Sequence, residues 1–193
     1  MAPPEITFRG LARTDFRTLR LWLNTPHVYE WWGRRMGVGA LGGDGDDAAT
    51  EIQVEAKYGP DLDNGGPTHR YLIEVDGAAV GLIQWYRLSD FPDYARAVGE
   101  DPTDSAGIDF FIGGPAALGR GLGARSIEAF ITTVVFRTNG VARAVAGPAE
   151  DNLRSIRTLE RAGFRRVRNA TVAGEPGPEA VMVRPKEIGP HWI

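Results

Sequence analysis

Leu118-Gly119-Arg120-Gly121-Leu122-Gly123-Ala124 lies between a run of strand character and a long helical pattern. Before it, Ala106-Gly107-Ile108-Asp109-Phe110-Phe111-Ile112 has the alternation of a β-strand. After it, residues 124–136 place Ile127, Phe130, Ile131, Val134 and Val135 at helical spacing. A strand, a glycine-rich turn and a helix start make an anion site. Glycine lets the backbone approach a phosphate, and the first N–H groups of the helix point at it. The helix dipole adds roughly half a positive charge at that end, and Arg120 adds a full one. A bound phosphate or pyrophosphate is the expected ligand. Gly-Lys-Ser/Thr is missing, so the turn is not a nucleotide-hydrolysing P-loop. No acidic residue closes a second strand about 20 residues on, as a dinucleotide-binding unit requires. Without a ligand, the same order would be a tight strand-to-helix connection.

The stretch Glu150-Asp151-Asn152-Leu153-Arg154-Ser155-Ile156-Arg157-Thr158-Leu159-Glu160-Arg161-Ala162-Gly163-Phe164 adds a second constraint. Asp151 or Asn152 can cap a helix. Ile156 and Leu159 face one way, and Arg154, Arg157 and Arg161 another. Gly163 stands where a left-handed residue ends a helix, and Phe164 opens a strand.

Together these two segments resemble the acetyl-CoA-binding core of the GCN5-related N-acetyltransferase (GNAT) superfamily. Gly121 and Gly123 match its first signature. Asn152, Ser155, Gly163 and Phe164 match its second. The resemblance runs from about Ile6 to Arg184. It is strongest to aminoglycoside 6′-N-acetyltransferases, through Glu30-Trp31-Trp32-Gly33, Gly107-Ile108-Asp109, Phe111-Ile112-Gly113 and residues 152–157. The fold it implies is α+β, with a mixed, mostly antiparallel central sheet flanked by helices, in one acetyltransferase domain over residues 1–193. It implies acetyl-CoA as cosubstrate, contacted by Phe111, Ile112, Gly119, Arg120, Gly121, Leu122, Gly123, Ala124, Asn152 and Arg157. Asn152 is read both as helix cap and as cofactor contact.

The chain departs from the family at two places. The usual Tyr four residues before the terminal Gly, the acid for the departing thiolate, is Leu159. The usual Asp before the Pro that follows the fifth strand is Gly147, ahead of Pro148.

Amine acetylation needs a neutral amine beside the thioester and a proton acceptor nearby. Asp109 is the expected base. It interrupts an apolar strand, on the face opposite Ile108 and Phe110, and a carboxylate there is unfavourable unless paired or functional. Of Trp31 and Trp32, one is expected in the core and the other as a flat wall for a sugar ring. Glu30, Asp101 and Asp104 are the candidates to bind the ammonium groups of the acceptor, although any one of them also reads as ordinary surface.

The chain has 193 residues, a formal net charge of −3 and no cysteine, so there is no disulfide or thiol chemistry. Residues 1–109 hold 18 acidic against 10 basic side chains, and the rest hold 7 against 12. The basic part carries the phosphate turn, as a polyanionic cofactor requires. The acidic part suits a small cationic amine. No basic stripe with interleaved aromatics suggests nucleic acid, no apolar run would span a membrane, and the three His have no metal-ligand spacing. Cytoplasmic location and a monomer or homodimer are expected. Two other readings share the motifs: a siderophore-type lysine or hydroxylamine N-acyltransferase, and a non-catalytic acyl-CoA-binding protein.

The remaining pattern gives a strand at Ile6–Phe8, helices over residues 15–23, 27–32 and 47–58, and a mobile glycine-rich stretch over residues 37–45. A loop follows at 58–67. A hairpin turns at Asp76-Gly77, and a polar loop covers residues 89–104. Strands are expected at 142–146, 164–168 and 180–183.

Overall fold

The computed structural model describes residues 3–33 and 49–187, so the glycine-rich stretch 37–45 and His191 lie outside the described residues. In chain order the elements are β1 (Ile6–Gly10), α1 (Phe16–Leu23), α2 (Pro26–Val28), a π turn (Tyr29–Gly33), α3 (Glu51–Asn64), β2 (His69–Val75), β3 (Ala78–Arg87) and α4 (Pro92–Val98). There follow β4 (Ser105–Ile112), α5 (Leu122–Thr133), β5 (Arg143–Ala146), α6 (Leu153–Arg161), β6 (Arg165–Ala170) and β7 (Glu179–Pro185). The strands form a mixed, mostly antiparallel seven-stranded sheet of order β1-β2-β3-β4-β5-β7-β6. Two compact units divide the chain: Met1–Gln84 with Asp109–Ser126, and Trp85–Ile108 with Ile127–Ile193.

In the first unit, Asp76 and Gly77 both take positive φ, 50° and 78°, as a two-residue hairpin turn demands. β1 runs antiparallel to β2, with Ile6 opposite Val75. The core gathers Leu19, Trp22 and Leu23 of α1, Val54 and Tyr58 of α3, and Leu72, Leu82 and Phe111 of the strands. Helix α3 starts in a reciprocal cap. Thr50 Oγ1 accepts from the Gln53 N–H at 3.2 Å, and Gln53 Oε1 accepts from the Thr50 N–H at 2.8 Å. The helix passes through Pro60 and stops at left-handed Gly65 (φ 63°). The loop expected over residues 58–67 is therefore helical for most of its length. Pro60 removes one helical hydrogen bond, but burial of Val54 and Tyr58 holds the helix.

In the second unit, residues 105–107 of β4 run parallel to residues 143–145 of β5, and β7 lies antiparallel to both β5 and β6. Its core holds Leu88, Ala95, Val98, Val145, Ala170, Val181 and Val183. The polar loop expected over 89–104 contains helix α4. Pro92 opens that helix, and Gly99 (φ 68°) closes it by donating its N–H to Ala95 O. For α6, Asn152 is the cap: its side chain accepts from the Ser155 N–H at 3.0 Å. Gly163 (φ 87°) ends the helix, and the Phe164 N–H returns to Leu159 O at 3.0 Å. No described helix is long and apolar enough to cross a membrane.

Candidate active site

In the first unit, Asp109 is half-buried on β4. Its Oδ2 accepts a hydrogen bond from Gln84 Nε2 on β3 at 2.9 Å. Gln84 Oε1 in turn accepts from Arg70 Nε on β2 at 3.1 Å. The other arm of Arg70 is ion-paired with Asp61 of α3, and its guanidinium lies 5.1 Å from the ring centre of Tyr58. Gln84 is 5% exposed, so this polar chain is largely shielded from water, where each hydrogen bond is strengthened.

Two titrating groups border that chain. Burial pushes the Tyr58 phenol up to about 12. Burial, and then the Arg70 charge, lower the Lys57 ammonium from its ordinary range, while Asp61 and Asp109 pull it back up. A cationic group near Asp109 is thus partly compensated by the carboxylates around it.

Trp32 is the core member of the tandem pair. Its indole N–H donates to Tyr58 Oη at 3.1 Å, and its ring meets Phe111 edge-on with centroids 4.9 Å apart. Trp31 stays half-buried and Glu30 exposed on the π turn.

Phe111 is only 7% exposed and packs on Trp22 and Trp32. Its side chain is a core group, so any contact it makes with a cofactor goes through its backbone. Ile112 packs beside Val75, Ala117 and Leu122. Its carbonyl lies 2.9 Å from His27 Nε2; a carbonyl can only accept, so that nitrogen carries the proton.

The glycine turn has the geometry of a phosphate cradle. Gly119 and Gly121 take φ of 75° and 71° on either side of exposed Arg120. A Cβ built on either glycine would meet nothing within 4 Å, so the space beside the backbone is open. Gly121 O accepts from the Arg125 N–H, which leaves the N–H groups of Leu122, Gly123 and Ala124 with no partner inside the helix. These residues fit an anionic diphosphate.

In the second unit, Asp101 is exposed and accepts from Thr103, at its N–H (2.9 Å) and at its hydroxyl (2.7 Å). Those bonds hold its carboxyl below the usual range. Asp104 takes a hydrogen bond from Ser105 Oγ at 3.1 Å and faces Arg143 at 3.5 Å. Both acids are therefore already engaged locally. Arg157 lies exposed on α6 and Leu159 is fully buried. Pattern reading missed Glu179, 4% exposed at the start of β7. A Cβ built on Gly147 would collide with that carboxylate and lie 2.6 Å from Tyr94 Oη. Gln84 and Arg70 were missed as well, although Gln84 is the one strongly polar side chain in the run Val80–Trp85.

The family model described as "Acetyltransferase (GNAT) domain" matches residues 12–172. This chain belongs to the GNAT acetyltransferase family. It is an N-acetyltransferase, similar to aminoglycoside N(6′)-acetyltransferase type 1 of Klebsiella pneumoniae: 30% identical over 186 residues, covering 95% of this chain and 84% of that protein. It is also similar to a kanamycin resistance protein of Rhizobium radiobacter, 34% identical over 90 residues, which cover 46% of this chain and 81% of the relative. Among solved structures, AAC(6′)-Ib in complex with coenzyme A and kanamycin superposes with a TM-score of 0.73 and 27% identity, over 94% of this chain and 95% of that one.

Proposed function

We propose that this chain transfers the acetyl group of acetyl-CoA to the 6′-amine of an aminoglycoside. The observation that carries the chemistry is Asp109, a half-buried strand carboxylate held at one oxygen by Gln84. Kinship to enzymes named for aminoglycoside N(6′)-acetylation supports the acceptor.

Acetyl-CoA, when bound, supplies the thioester carbonyl. The turn at residues 119–124 holds its diphosphate through backbone N–H groups and Arg120. Asn152 and Arg157 are assigned further contacts to the cofactor on family likeness. An aminoglycoside amine arrives largely protonated. Asp109 attracts the ammonium, accepts its proton and leaves a neutral nitrogen able to attack the carbonyl. Trp31 offers a face to a sugar ring, and Glu30, Asp101 and Asp104 add negative charge for the remaining ammonium groups. Leu159 has no proton to give, so the departing thiolate takes its proton from water or from another hydroxyl. We infer a cytoplasmic location, where acetyl-CoA is available, and a single acetyltransferase domain over residues 1–193 that acts as a monomer or homodimer.

Thiol release with acetyl-CoA tests this reading. Kanamycin, with an amine at 6′, should turn over. Paromomycin, with a hydroxyl there, should turn over at least a hundredfold more slowly. Equal rates for the two would reject the 6′-amine as the acceptor.

A further inference from the structure

We propose that Arg70 is a positioning residue for acetyl transfer, fixing through Gln84 the orientation of the Asp109 carboxylate. The inference rests on Asp109 being the base. A guanidinium carries donors and no acceptor. With Arg70 Nε 3.1 Å from the Gln84 amide, the oxygen of that amide must face Arg70. The NH2 group must then face Asp109, and it does so at 2.9 Å. The reverse orientation would set amide N–H against guanidinium N–H, and amide oxygen against carboxylate. Gln84 is 5% exposed, so water is poorly placed to relieve either clash.

The Gln84 NH2 group donates to Asp109 Oδ2 and so holds the carboxylate plane in place on β4. Arg70 is itself fixed, by Asp61 on one arm and by the Tyr58 ring beneath it. Its side chain is 8% exposed. Asp61 pairs with the Arg70 guanidinium, and Arg70 acts here by orienting the Gln84 amide. Lys57, of the same helix as Asp61 and Tyr58, senses the Asp109 charge as well. The chain Asp61–Arg70–Gln84–Asp109 thus runs from α3 across β2 and β3 to the reacting carboxylate on β4.

A double-mutant cycle on turnover separates positioning from bulk stability. Arg70→Met should lower kcat about tenfold, the scale of a misoriented catalytic group, with acetyl-CoA affinity unchanged by calorimetry. Arg70→Lys, which keeps a charge but not the two-armed fork, should recover only part of the loss. In an Asp109→Asn background, Arg70→Met should cause no further loss, because its effect passes through the Asp109 carboxylate. In a Gln84→Met background it should likewise add nothing. The same tenfold loss in all three backgrounds would make Arg70 a structural residue and overturn the proposal. Wild-type turnover in Asp109→Asn alone would overturn the base assignment instead. Should Arg70→Met fail to fold, the cycle with Arg70→Lys reads the same non-additivity.

Discussion

Replacing Asp109 by Asn separates shape from charge at the proposed base. Gln84 Nε2 donates to Asp109 Oδ2 at 2.9 Å, and an Asn can offer its carbonyl oxygen to the same donor. The Arg70–Gln84 link is untouched, so the polar chain survives. A hydrogen bond to a charged group contributes about 1.5–3 kcal/mol and one to a neutral group about 0.5–1.5, so the change in stability should be about 1 kcal/mol. The change in turnover should be larger. General-base catalysis typically supplies about 10²–10⁴-fold, so a loss of a hundredfold or more corresponds to about 2.7 kcal/mol or more in the barrier. The assay is thiol release at saturating acetyl-CoA across pH, alongside calorimetric binding of acetyl-CoA and a thermal melt. A near-native melt, intact cofactor affinity and a collapsed rate are expected. Wild-type turnover at every pH would refute the reasoning and leave Asp109 a structural strand acid.

Three other perturbations read other parts of the account. Gly121→Val puts a β-branched residue at a φ of 71°, unfavourable by about 1–2 kcal/mol. Its side chain also enters the space reserved for the diphosphate, so acetyl-CoA affinity should fall at least tenfold by calorimetry; unchanged affinity would dismiss the cradle. Tyr58→Phe leaves the Trp32 N–H without its partner and should destabilise by about 1–3 kcal/mol at neutral pH. The folded-state phenol is raised to about 12 from 10.0, so the wild type alone loses stability as pH climbs from 10 towards 12, and the gap between the two proteins should narrow there in denaturant titrations. A gap that widens would reverse that sign. Gly147→Asp restores the acid that the family usually carries before the Pro. Its Cβ would collide with the Glu179 carboxylate and lie 2.6 Å from Tyr94 Oη. A loss of about 1–3 kcal/mol from overpacking is expected, and an unchanged melting temperature would show that Glu179 does not fill that space.

Some of this was readable from sequence because it is written in local chemistry. Gly119 and Gly121 reserve left-handed backbone, Asn152 reserves a cap, and Asp109 breaks an apolar strand. The α4 signals were also present, Pro92 at the first turn and Gly99 after the last, but polar side chains between them read as loop. Pro60 argued against a helix that buried Tyr58 nonetheless sustains. Choosing between Trp31 and Trp32 needed the Tyr58 hydroxyl and the Phe111 ring, which come from other elements. The link from Arg70 through Gln84 to Asp109 joins side chains of three different strands. No local pattern marks such a contact, since a polar residue in a strand looks alike whether it faces water or another side chain.

Acetyl transfer to the 6′-nitrogen is tested by determining which nitrogen of kanamycin carries the new acetyl group. Nuclear magnetic resonance of the product formed with acetyl-CoA reads this without reference to rate. A single mono-acetylated product bearing the acetyl group on the 6′-nitrogen is expected. Acetylation at a ring amine, or no acetylated kanamycin while another amine is consumed, would contradict it.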